Sequence, residues 1–275
     1  MSISIQPTLA WSGDAVLAPV CRLITELAAR ERRLTRYGAL LMALLWPIAI
    51  AWALDDRVLR DANVWIKPMK FSFSIGVLAW TTAWFVGHLP VDHRGSRAVD
   101  RIVWLLIGAG SFELAYITLQ AALGQGSHYN VGDSVHGLMY ALMGFAALLL
   151  TVTQPMLAWQ LARYPDPRRP AVYRHAVLVG LVLTFVLGAG IGGLLSATQP
   201  PVGGTSLPFF GWALSGGDLR PAHFVGIHAE QILPVVGLAA TALGGWRAKA
   251  ALWTAVVVYG ALFGLLVTWG LLGRF

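Results

Sequence analysis

The chain holds four glutamates, three lysines and seven histidines among 275 residues, and their placement picks out the positions able to do chemistry. Glu113 and Glu230 fall inside long apolar stretches. Lys67 and Lys70 stand three apart in Trp65-Ile66-Lys67-Pro68-Met69-Lys70-Phe71, so on a helix they project from neighbouring positions on one face. Pro68 suits a first helical turn. Lysine at a helix start opposes the macrodipole, so an acidic ligand, a lipid phosphate or a carboxylate should offset it. Snorkelling of both amines to a membrane interface accounts equally for their position. Glu113 and Gln120 are seven apart and share a helix face. A carboxylate within an apolar span is protonated, paired with lysine or histidine, bound to a cation, or hydrogen-bonded to another helix.

Four histidines accompany these residues. His128 lies in the polar run Ser127-His128-Tyr129-Asn130. His136 follows Asp133 and Ser134, either of which can cap a helix there. His223 and His228 open the segment that carries Glu230 and Gln231. His223 and Glu230, seven apart, share one face, with Gly226 and Pro234 near the same line. His228 is about 140° round the helix from His223 and sides with Gln231. This is not the i,i+4 metal pair of an HExxH helix. The single cysteine, Cys21, excludes an internal disulfide and a Cys-based metal motif.

The elements that must position these groups are membrane helices. Hydrophobic residues make up 57% and charged residues 12% of the chain, about half the charge of a soluble domain. Seven segments are long enough to span a bilayer: 37–54, 69–88, 102–123, 135–160, 175–197, 222–244 and 250–272. They predict an all-α, seven-helix polytopic bundle, not an outer-membrane barrel of short alternating strands. With the N-terminus inside, only Arg57, Arg60, Lys67, Lys70, Arg220 and Arg274 lie outside, and the other 14 of 20 basic residues lie inside. The positive-inside rule therefore orients the chain N-in and C-out, in a bacterial inner membrane. The net charge of +7 then reflects topology and contact with membrane lipids, not nucleic acid. Residues 1–36 form a cytoplasmic segment containing an amphipathic surface helix, and residues 37–275 form the transmembrane domain. Residues 1–20 lack signal-peptide organisation, so the first span is expected to act as an uncleaved insertion signal. Glu113 should sit about 15 Å below the outer end of its helix. The polar groups map to the outer half of the bundle on the second, third, fourth and sixth spans. The first, fifth and seventh, poor in polar side chains, read as lipid-facing scaffold. The loop 198–220, with Phe209, Phe210 and Trp212, is long enough to fold over the site as a lid.

The patterns Trp65-x-Lys67-Pro68-x-Lys70-Phe71, Ser127-His128-Tyr129-Asn130 and His223-Phe224-x-Gly226-x-His228-x-x-Gln231 resemble those of a group of uncharacterised bacterial seven-span integral membrane proteins. That resemblance implies architecture and carries no chemistry. The residues support three expectations. The first is an outward-facing redox or electron-transfer centre, with haem or a transition metal on His128, His136, His223 or His228. Lys67, Lys70, Gln120, Asn130, Arg220 and Gln231 would bind the cofactor, with Glu113 and Glu230 as proton carriers or catalytic groups. The second is a zinc-dependent lipid hydrolase. The third is a proton-coupled transporter. A small molecule, a quinone or a lipid would be the substrate.

Overall fold

The computed structural model describes residues 13–207 and 210–272, with side chains from Ala18 onward. The first 12 residues of the N-terminal segment, Phe209 of the expected lid and Arg274 of the outer basic set lie outside the described residues. The helices are α1 (Gly13–Arg30), α2 (Arg32–Leu54), α3 (Ile66–Val86), α4 (Arg97–Ala122), α5 (Ser134–Arg163), α6 (Ala171–Ala197), α7 (Arg220–Ile227), α8 (Ala229–Ala240) and α9 (Gly245–Leu271). Among the described residues the fold is helical apart from a hairpin of two two-residue strands before α3, β1 (Val58–Leu59) and β2 (Ala62–Asn63), and a single bridge between Ser206 and Ala213. Every expected span coincides with a helix, 222–244 being divided between α7, α8 and a 3₁₀ turn at Thr241–Leu243.

Helix ends follow local chemistry. Glu31 separates α1 from α2 and caps α2, accepting from Leu34 N at 2.5 Å. Arg33 then ties Glu31 to Asp100 on α4. Ser96 caps α4, and Asp133 caps α5 by accepting from Val135 N and His136 N at 2.9 and 3.0 Å.

Among the described residues, five helices, α2, α4, α5, α6 and α9, are long and apolar enough to cross a membrane, and the α7–α8 pair makes a sixth if its 51° bend is one broken span. These apolar helices mark a multi-pass membrane protein. α3 carries two lysines in its first turn and is not among the six. It is nonetheless enclosed by protein, with Ser72, Ile75, Ala79, Thr82 and Val86 buried against its neighbours.

At the bend, between Ile227 and Ala229, the Glu230 N–H donates across to Thr184 Oγ1 of α6 at 3.0 Å. Pro234, one turn further on, lies inside α8.

One core cluster joins α1 to α6, and separate clusters join α6 to α7, α8 and α9. This corrects the reading of the fifth span as lipid-facing scaffold, since α6 stands between the two halves. Its small residues explain the position. Gly180, Thr184, Gly188 and Gly192 recur every four residues along one face. A Cβ at Gly180 would lie 2.9 Å from Ala229 O, and one at Gly188 would lie 2.7 Å from Ile227 Cγ2. Small side chains here let α7 and α8 approach the α6 backbone closely, the usual device where lipid supplies no hydrophobic drive.

Candidate functional site

The polar residues form two groups, one at the hairpin end of the bundle and one at its middle. At the hairpin end, Lys67 Nζ donates to Ser127 Oγ at 2.7 Å, and that hydroxyl lies 3.3 Å from His128 Nδ1. The His128 ring is held among Phe71, Tyr129 and Tyr140, with centroids 6.2, 6.5 and 5.8 Å away. Tyr129 adopts a left-handed φ of 58°, and its hydroxyl donates to Leu195 O at 2.5 Å. Tyr140 donates to Ser196 O at 2.7 Å. The loop is thus pinned to the end of α6. Burial first, and then the charge of Lys67, lower the His128 pKa to about 3, so the ring is a neutral donor and acceptor at physiological pH.

Glu113 and Gln120 are 1% and 4% exposed on α4. Among the described residues, neither Glu113 oxygen nor Gln120 Oε1 has a hydrogen-bond partner. Lys67 is the cation whose charge acts on Glu113. A pocket of about 430 Å³ opens beside this group, lined by Arg60, Gln125, His128, Asn130, Asp133 and His136 among others. Both His136 ring nitrogens are engaged, Nδ1 with Asp133 at 2.5 Å and Nε2 with Gln125 Oε1 at 3.1 Å. His136 therefore completes the α5 cap.

The two lysines diverge although they share a helix turn. Lys70 Nζ donates to Phe210 O at 2.8 Å, on the loop preceding α7. Arg220 is bound at 2.6 Å to Asp218, which is wholly buried, and to Gly211 O. Burial opposes ionisation of Asp218, but Arg220 and the N–H groups of Arg220 and Ala213 outweigh it and lower its pKa. Arg220 thus anchors this loop. Phe210 and Trp212 stack together and against Phe224, whose ring lies 4.3 Å from that of His228. The loop is therefore laid over the start of α7, as a lid would be.

The second group sits at the break. Glu230 is wholly buried in the first turn of α8, where the macrodipole favours a carboxylate. Its backbone N–H donates to Thr184 Oγ1 at 3.0 Å, and its Oε1 accepts from Gln231 Nε2 at 2.9 Å. Gln231 Nε2 also reaches Thr81 Oγ1 on α3 at 3.3 Å. His228 Nδ1 faces Gln231 Oε1 at 3.2 Å. An amide oxygen only accepts, so His228 carries its proton on Nδ1 and presents a lone pair at Nε2. His228 Nε2, His223 Nδ1 and Glu230 Oε2 are buried and without hydrogen-bond partners. His223 packs on Gly192 of α6, and Glu230 packs on Gly180, so both face α6 as their spacing predicts, while His228 sides with Gln231.

Depth is the correction. Thr184 is the fourteenth of 27 residues in α6, so Glu230 lies at the middle of the bundle and not in one outer half. Thr81 and Thr184, which complete this group, were not singled out by the sequence reading. A hydroxyl in a helix interior is common, and only the i+4 series of small residues on α6 distinguishes Thr184. Among the described residues, no three histidine, cysteine or acidic side chains come together as a metal-binding group.

No protein family, curated protein or solved structure matches the chain. The motif resemblance to the uncharacterised seven-span group therefore rests on the motifs alone.

Proposed function

We propose that the chain is a seven-span bacterial inner-membrane protein, oriented N-in and C-out, that binds a small anionic molecule and moves it with protons. α3 is counted as the seventh span because its charges are confined to one end and its body is enclosed. The observation that carries the transport reading is the break at His228. A discontinuous helix at mid-membrane exposes a helix N-terminus and unpaired polar groups to a bound solute, as in many secondary transporters. Here His228 and Glu230 hold the two ends of the Gln231 amide, and each keeps one buried polar atom without a hydrogen-bond partner, Glu230 as the proton carrier of this reading. In this reading Lys67 at the hairpin end attracts the anion, Glu113 carries protons, and the Phe210–Trp212 loop over the start of α7 is the outer gate.

The test uses the full-length protein in liposomes loaded with a pH-sensitive dye. A panel of small carboxylates, phosphates, amino acids and sugars is applied from outside. At least one anionic class should drive internal acidification, and Glu230→Gln should abolish the signal while the protein still inserts. Silence across the panel would overturn this reading. A second reading is kept by one observation: His223 Nδ1 and His228 Nε2 are unpartnered imidazole nitrogens, the atom type that ligates haem iron. A Soret band in the purified protein that is lost in His228→Ala would favour a redox centre over transport.

A further inference from the structure

At the end of the bundle opposite the hairpin, where α3 and α5 stop and α6 starts, a second cavity of about 180 Å³ is lined by His88, Pro165, Asp166, Arg169, Arg174 and His175 among others. It is smaller than the sites of drug-sized ligands, roughly 300 Å³ and above, and has the scale of a single head group. Its polar lining is unbalanced. Asp166 is the only carboxylate in it, and it is already in use. Asp166 accepts from Arg168 at 2.9 and 3.1 Å, and its backbone carbonyl accepts from Arg174 at 2.9 Å. Arg169 Nε stands 3.5 Å from the same carboxylate, an ion-pair contact that is not a hydrogen bond. One guanidinium donor and one imidazole nitrogen are left over. Arg169 Nε is buried without a hydrogen-bond partner, and so is Nε2 of His88, a residue only 5% exposed. The His88 ring is fixed edge-on against Phe85 and Tyr173, at 5.5 and 5.6 Å.

We infer that this cavity binds a phosphate group, held by the Arg169 guanidinium and the His88 imidazole. A buried guanidinium edge with an open N–H matches a phosphate oxygen in geometry and charge. Basic pockets between spanning helices take phosphate head groups in this way. The phosphate belongs either to a lipid head group or to a free phosphate compound. The site lies apart from Glu230 and does not depend on the transport reading.

The test is thermal melting of the full-length protein in phosphate-free maltoside detergent, titrated separately with inorganic phosphate, phosphatidylglycerol and diacylglycerol. Inorganic phosphate or phosphatidylglycerol should raise the melting temperature, and diacylglycerol, which lacks the phosphate, should not. A response to inorganic phosphate assigns the site to a free phosphate; a response to phosphatidylglycerol alone assigns it to a head group. Arg169→Gln should raise the half-saturating concentration about ten-fold. Arg163→Gln, which removes an exposed guanidinium at the same end, should leave it unchanged. Should Arg169→Gln fail to fold, His88→Phe keeps the ring packing and should weaken the response about five-fold. Absence of any response, an equal response to diacylglycerol, or equal losses in the Arg169 and Arg163 variants overturns the site.

Discussion

The two buried glutamates of the apolar helices, Glu113 and Glu230, are held in opposite ways. Glu113 has no hydrogen-bond partner on either oxygen among the described residues and depends on the charge of Lys67, which is itself occupied with Ser127. Glu230 sits in a network of Thr184, Gln231 and Thr81, at a helix start and against a stripe of small residues. Positioning by charge alone leaves a side chain free to change partners. Positioning by hydrogen bonds fixes it and leaves one defined oxygen open. Glu113 is thus the freer of the two to change partners, and Glu230 the more firmly held.

The contrast can be broken most forcefully at Gly180. Gly180→Leu should destabilise the protein by about 3 kcal/mol through overpacking against α8, measured by thermal melting, while the Lys67–Glu113 coupling survives. Thr184→Val should come next, costing about 1.5 kcal/mol by leaving the Glu230 N–H unpaired in the interior. A double-mutant cycle of Lys67→Met and Glu113→Gln should then give a coupling of about 1 kcal/mol; a coupling of zero would end the claim that Lys67 serves Glu113. The smallest effect is a slope in pH. His128 is held neutral in the fold, with its pKa near 3, whereas an unfolded histidine titrates near about 6.5. Below that value the unfolded chain takes up the proton first. Stability from this residue is therefore full above about pH 6.5 and falls as pH drops toward 3. His128→Gln should flatten this part of the stability profile.

Membrane helices were legible because length and hydropathy decide them, and charge excluded from 37–54 or 250–272 has no other simple meaning. The pairing of His228 with Gln231 and the common face of His223 and Glu230 were legible because both follow from helical spacing over a few residues. The break was not, because the apolar periodicity of 222–244 runs through it, and Pro47 and Pro155 lie within α2 and α5 with no break in either helix. The central place of α6 was hidden for a related reason. Scarcity of polar side chains was read as exposure to lipid, but glycine is equally non-polar and serves close contact between backbones. Divergence of Lys67 and Lys70 could not be read at all, because their partners lie 60 and 140 residues away.

The stripe on α6 also bears on how the chain is made. When α2 to α6 have left the ribosome, the cluster joining α1 to α6 can form, but Gly180, Thr184 and Gly188 still face nothing. Their cover arrives only with α7 and α8, after a further loop of more than 20 residues has been synthesised. For that interval the nascent protein offers the membrane quality-control machinery a bare small-residue groove on its sixth helix, so a chain truncated before Arg220 should be a degradation substrate while the complete chain is not.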